Sequence, residues 1–147
     1  ISAFCFWNAG RWPPIEPPAV GARLTGPIDA SALKRLCEMD GIEGLWLDGE
    51  FGEACWKTIL QLSNLKLLRV DAQGVNGRFT DKDLTRLAAF KDLQQVQIFS
   101  PDISDAGIKQ LARLPNLVDS GVFLECPKVT QGARLYLKRV LQQRNER

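Results

Sequence analysis

Apolar positions in this chain recur in blocks. Ile103-Ser104-Asp105-Ala106-Gly107-Ile108 sets the pattern: an apolar residue, a small or hydroxyl residue, an acid or amide, and a second apolar residue five positions after the first. Related blocks are Ile28-Asp29-Ala30-Ser31-Ala32-Leu33, Phe51-Gly52-Glu53-Ala54-Cys55-Trp56, Phe79-Thr80-Asp81-Lys82-Asp83-Leu84 and Val129-Thr130-Gln131-Gly132-Ala133-Arg134, the last with Arg134 in the closing place. Taken in chain order, the five blocks start 23, 28, 24 and 26 residues apart. Apolar residues then continue in threes: Leu33, Leu36, Met39, Ile42, Leu45; Trp56, Ile59, Leu62, Leu65, Leu68; Leu84, Leu87, Phe90, Leu93, Val96; and Ile108, Leu111, Leu114, Leu117, with Ser120 closing the last series. Self-similarity at such a period marks a repeat architecture.

Each unit reads as a helix, a turn and a short strand. Thr80, Ser104 and Thr130 are placed to cap helix N-termini, and Asp81 and Asp105 follow where a negative charge complements the helix dipole. Apolar residues three and four apart give one buried stripe, which Pro115 and the pairs Asn64-Leu65 and Asn116-Leu117 bring to a turn. Alternating pairs then predict strands at Leu45/Leu47, Leu68/Val70, Val96/Ile98 and Ser120/Val122, with Ala22/Leu24 as an earlier member. One unit cannot bury its own stripe, so neighbours must stack. Arg134 on the last stripe suits a polar-faced terminal helix, and Phe4, Phe6, Trp7 and Trp12 are available to shield the other end.

The spacing of Ile59, Leu62, Leu65, Leu68 and Val70 resembles a leucine-rich repeat, and the runs Cys126-Pro127-Lys128-Val129-Thr130 and Ile103 to Ile108 resemble its cysteine-containing subtype, known from F-box-associated and short bacterial proteins. The resemblance covers residues 20 to 141. It departs from the pattern in having Cys at that place in one repeat only and extra residues around Gly74-Val75-Asn76-Gly77, and no F-box-like segment precedes the repeats. It implies an α/β leucine-rich repeat solenoid with a short parallel β-sheet on the concave side and helices on the convex side. Residues 1–27 would be a Pro-rich irregular lead-in and cap, and residues 28–147 the repeat domain with a C-terminal capping helix. The resemblance further implies a protein partner, bound on the concave strand face.

The register of the pairs gives that face two ladders: Arg23, Trp46, Arg69, Gln97 and Gly121, then Thr25, Asp48, Asp71, Phe99 and Phe123. Strands lie about 4.8 Å apart, so Trp46 is expected between Arg23 and Arg69, within cation–π reach. Arg23, Trp46, Asp48, Arg69, Asp71, Gln97, Phe99 and Phe123 are the expected partner-binding residues, with the aromatics as anchors. The opposing reading is that the lead-in or a loop covers them.

Composition narrows the chemistry. The 147 residues are 45% hydrophobic and 24% charged, enough for one globular domain. His is absent, which removes His-based triads and most zinc sites; Cys5, Cys37, Cys55 and Cys126 are scattered with no Cys-x-x-Cys pair. No catalytic residue, metal or cofactor is expected. Asp48, Glu50 and Glu53 lack the burial that tunes an acid for proton transfer, Cys37 and Cys55 read as small core residues, and Gly74 to Gly77 lacks a phosphate-loop Lys. Net charge is +2, yet residues 38–53 hold six acids and no base while residues 128–147 hold six bases and one acid. That asymmetry leaves weak head-to-tail self-association as an alternative role; nucleic acid is not expected. Five of eight prolines fall in the first 27 residues, which therefore read as extended and irregular. The apolar start Ile1 to Trp7 is too short to span a bilayer. A cytoplasmic setting is expected, with a removed upstream signal or anchor as the alternative.

Overall fold

In a computed structural model the chain is described over residues 2–4, 20–39, 41–73 and 79–147. The Pro13 to Pro18 stretch, Trp7, Trp12 and the Gly74 to Gly77 loop lie outside the described residues, so their expected roles are not placed. The elements run β1 (Ser2–Phe4), β2 (Val20–Thr25), α1 (Ala30–Cys37), β3 (Ile42–Asp48), α2 (Glu53–Ile59), β4 (Leu67–Asp71), α3 (Asp81–Arg86), β5 (Gln95–Phe99), α4 (Asp105–Leu111), β6 (Val122–Glu125) and α5 (Gln131–Asn145). They form one sheet in chain order, with β1 antiparallel to β2 and the remaining five strands parallel. A helix separates each parallel strand from the next, as a parallel connection requires.

The register joins Ala22, Leu45, Leu68, Val96 and Val122 in one row and Leu24, Leu47, Val70, Ile98 and Leu124 in the next. These rows share a single core with the helix stripes Leu33/Leu36, Cys55/Trp56/Ile59, Leu84/Leu87 and Ile108/Leu111. The helices therefore cover one face of the sheet. The first residues of the five blocks, Ile28, Phe51, Phe79, Ile103 and Val129, are all buried, and the Phe51, Trp56 and Phe79 rings meet at 5.9–6.3 Å. Met39, expected on the first stripe, is exposed: α1 ends at Cys37, so Met39 falls in the turn.

The caps explain where helices start. Ser104 accepts the Ala106 N–H and Thr130 the Ala133 N–H, each at 3.2 Å, and Asp29 accepts the Ala32 N–H at 2.7 Å. At Thr80 the roles are reversed, with the Asp83 carboxylate accepting the Thr80 N–H at 2.8 Å and its hydroxyl at 3.2 Å. Asp81 and Asp105 do more than face a helix dipole. Asp81 accepts the N–H and hydroxyl of Ser104 at 2.8 and 2.5 Å, and Asp105 does the same for Thr130 at 2.8 and 2.7 Å, so each helix start is pinned to the next.

At the last strand the expected register is corrected. Val122, not Ser120, sits beside Val96, and Phe123 sits beside Gln97 rather than Phe99. A 3₁₀ turn at Asp119–Gly121 lengthens the connection after Leu117. Because side chains alternate with period two, a two-residue slip keeps Phe123 on the same face but moves it one row. Beyond β6, α5 covers the sheet edge: the Arg134 guanidinium donates to the Leu124 and Cys126 carbonyls at 2.9 and 3.1 Å, and Arg144 donates to the Leu114 carbonyl at 2.5 Å and to that of Ala112.

Candidate binding face

The sheet face away from the helices carries three rows. The middle row is Arg23, Trp46, Arg69, Gln97, Phe123 and the next is Thr25, Asp48, Asp71, Phe99, Glu125. Seven of the eight expected residues, Arg23, Trp46, Arg69, Gln97, Asp48, Asp71 and Phe99, take their expected rows. Phe123 changes row, and Glu125 occupies the place read as Phe123. Gly121 leaves the face altogether: it is buried beside the Gln94 carbonyl, where an added Cβ would stand 2.6 Å from that oxygen.

A file of cations and aromatics crosses all five parallel strands. The Arg23 guanidinium lies 5.4 Å from the Trp46 ring centre; Arg69 lies 5.2 Å from Trp46 and 4.7 Å from Phe99; Phe99 and Phe123 meet at 5.5 Å. Each such cation–π contact contributes about 0.5–1 kcal/mol at an exposed site and more when dry. Ion pairs fix the same groups: Arg23 binds Asp48, Arg69 approaches Asp71 at 4.0 Å, and the Arg69 Nη1 donates to Gln97 Oε1 at 3.2 Å. Gln73, just beyond β4, reaches over to Glu125 at 2.9 Å.

Exposure along the file is uneven. Phe123 is 42% exposed and Trp46, Arg69 and Phe99 are half-buried, but Gln97, expected as a surface contact, is only 2% exposed. A third row, two residues earlier on each strand, was missed by counting from the first ladder: Gly21, Gly44, Leu67 and Gln95. Leu67 and Gln95 are buried there. Extending the period-two alternation one step back would have found it. For Glu125 the signal was the shared Ser100-Pro101 and Cys126-Pro127 spacing, which places Phe99 and Glu125 as equivalent strand ends.

Three carboxylates of the acidic run are held in ion pairs. Asp48 binds Arg23, Glu53 binds Arg86 and Glu43 binds Lys66 at 2.9 Å. Cys55 and Cys126 are buried and donate to the carbonyls of Ile28 and Ile98, and burial pushes the thiols of Cys37 and Cys126 up, away from the reactive thiolate. Among the described residues no cluster of three or more metal-ligating side chains occurs, and no helix is long and apolar enough to cross a membrane. The cleft between β6 and α5, lined by Val122, Leu124, Arg134 and Leu137, holds about 160 Å³, small beside the roughly 300–1,000 Å³ of small-molecule sites. No family model matches the chain, and no curated protein matches it in sequence.

Proposed function

We propose that this chain is a leucine-rich repeat protein, of the cysteine-containing type, that binds a protein partner on its concave strand face, the side away from the helices, and carries out no catalysis. The sequential parallel strands, the helices on one face and the repeated Asp-to-Ser/Thr pins support the repeat reading. The observation that carries the binding reading is the file Arg23, Trp46, Arg69, Phe99, Phe123, because Trp and Arg in packed arrays dominate protein interfaces. Self-association through opposite charges has less support: the acidic run is partly neutralised within the chain, by Lys66 on Glu43, Arg23 on Asp48 and Arg86 on Glu53.

The test compares the intact chain with a Trp46→Ala/Phe99→Ala variant of matched thermal stability in affinity capture from the source cell, read by mass spectrometry. Loss of a reproducible partner only in the variant is the expected result. Equal recovery by both proteins would place binding away from this face.

A further inference from the structure

The last unit departs from the four before it. Leu135 and Tyr136 on α5 are 53% and 47% exposed. Six and seven residues after the start of each earlier block stand Lys34 and Arg35, Lys57 and Thr58, Thr85 and Arg86, and Lys109 and Gln110. All eight are polar, so α5 alone is apolar at both places. The inward rows of the sheet loosen at the same end. Ala22, Leu45, Leu68 and Val96 are at most 5% exposed and Leu24, Leu47, Val70 and Ile98 at most 3%, whereas Val122 and Leu124 of β6 are only half-buried. With Leu137, Leu141 and Lys138 they line the cleft against α5. Its volume of about 160 Å³ is room for one large side chain, since a cavity of roughly 150 Å³ takes up benzene.

The edge of β6 is closed to an added strand. The Glu125 carbonyl accepts the Ser100 N–H at 3.2 Å, so the alternate carbonyls of Leu124 and Cys126 point outward, and the Arg134 guanidinium holds both. An occupant of the cleft therefore enters by a side chain and does not extend the sheet. Charge selects its sign. Lys128 pairs with Asp102, Arg134 and Arg144 hold carbonyls, and Asp119, the acid that lines the cleft, accepts from Gln142 at 3.1 Å. Lys138 and Arg139 meet no acid among the described residues, and Lys138 stands one helical turn from both Arg134 and Leu135. A nucleic acid would satisfy the two cations and leave the apolar cleft unfilled. A lipid surface needs a broad apolar helix face, and α5 has already buried its own, Leu137 and Leu141, in this chain. A second copy would bring its acidic run, but Glu43, Asp48 and Glu53 there are already paired.

We propose that the cleft between β6 and α5, with Leu135 beside it, takes an acidic segment of a partner protein, one apolar side chain in the cleft and carboxylates against Lys138 and Arg139. This is a second surface, at the end of the sheet, and it does not depend on the concave face binding anything. The apolar anchor supplies affinity, and the two cations select the sign of the partner.

The probe is a displayed library of random twelve-residue peptides, selected on the full chain and passed over a Leu135→Lys/Lys138→Glu variant to remove binders that ignore this end. The expected survivor is an acidic peptide with at least one large apolar residue. Its affinity, read by fluorescence anisotropy, should fall about tenfold in Leu135→Lys and about tenfold in Lys138→Glu, and should weaken as salt rises from about 50 to about 500 mM. Leu135→Lys restores the residue type of the earlier helices at an exposed position, so the Tm of the free chain should not change. Survivors without acids, binding that neither Leu135→Lys nor Lys138→Glu weakens, or no survivor at all would overturn the proposal. Vesicles of phosphatidylserine that bind the parent but not Lys138→Glu, with no peptide surviving, would overturn it in favour of a membrane contact. Loss of peptide binding in Trp46→Ala/Phe99→Ala but not in Leu135→Lys would move the segment to the concave face, so that this inference fails while the protein-binding reading above stands.

Discussion

Single residues carry much of the fit between neighbouring strands. Gly49 has φ of +146°, and a Cβ there would stand 2.2 Å from the Gly26 carbonyl oxygen, so both backbone conformation and space demand glycine. Gly49→Ala is expected to lower stability by more than about 1 kcal/mol, read from urea unfolding. Asp105 acts through charge. The Thr130 backbone N–H, then its hydroxyl, hold the Asp105 carboxyl below its ordinary value of 3.8. A carboxylate whose pKa is depressed on folding contributes stability above its unfolded pKa and loses it as pH falls through the folded one. Asp105→Ala should therefore melt earlier than the parent at neutral pH, and the two melting temperatures should converge below about pH 4. Parallel Tm curves down to pH 2 would show that the carboxylate contributes nothing through its charge. Neither role is legible from the residue alone. Asp105 is recognisable as an acid in the first helical turn, whereas its partner 25 residues on is set by how two units stack.

Elements were legible wherever local spacing fixes them. Helix starts at Thr80, Ser104 and Thr130 follow from capping chemistry that the adjacent backbone supplies. Strand β6 shows where local spacing fails. Counting in threes from Leu117 leads to Ser120, but the Asp119–Gly121 turn takes up the extra residues before the strand begins. That turn needs glycine at 121, where an added Cβ would stand 2.6 Å from the Gln94 carbonyl oxygen of the preceding unit. Helix α5 is tied to the last strand by bonds to carbonyls eight and ten residues back in the chain. Its Arg134 satisfies two carbonyls of the β6 segment, and Arg134→Met, which keeps the apolar stem, should cost about 1.5–3 kcal/mol of unfolding free energy by chemical denaturation. An unchanged midpoint would mean that water replaces the guanidinium without loss.

Across the whole molecule, the acidic run of residues 38–53 is partly neutralised from within the chain. Glu43, Asp48 and Glu53 meet Lys66, Arg23 and Arg86 from neighbouring strands and helices. Sedimentation is accordingly expected to give the same molecular mass at about 20 mM and about 500 mM salt, whereas an electrostatic assembly would dissociate as salt rises. The candidate binding face is equally a property of the whole. Arg23, Trp46, Arg69, Phe99 and Phe123 are separated by more than twenty residues at each step and become a file only because strands stack in chain order.

By itself, the sequence determined which residues are apolar at which period, and with that the helix stripes, four of the five parallel strands in their correct register, and the side of each strand that faces the core. These depend on interactions within a few residues and on the constraint that an amphipathic unit must be covered. The tertiary structure alone decided the row that Phe123 and Glu125 occupy and the burial of Gln95 and Gln97. Those outcomes depend on what stands beside each strand, and neighbours more than twenty residues away are supplied by stacking, which no local period encodes.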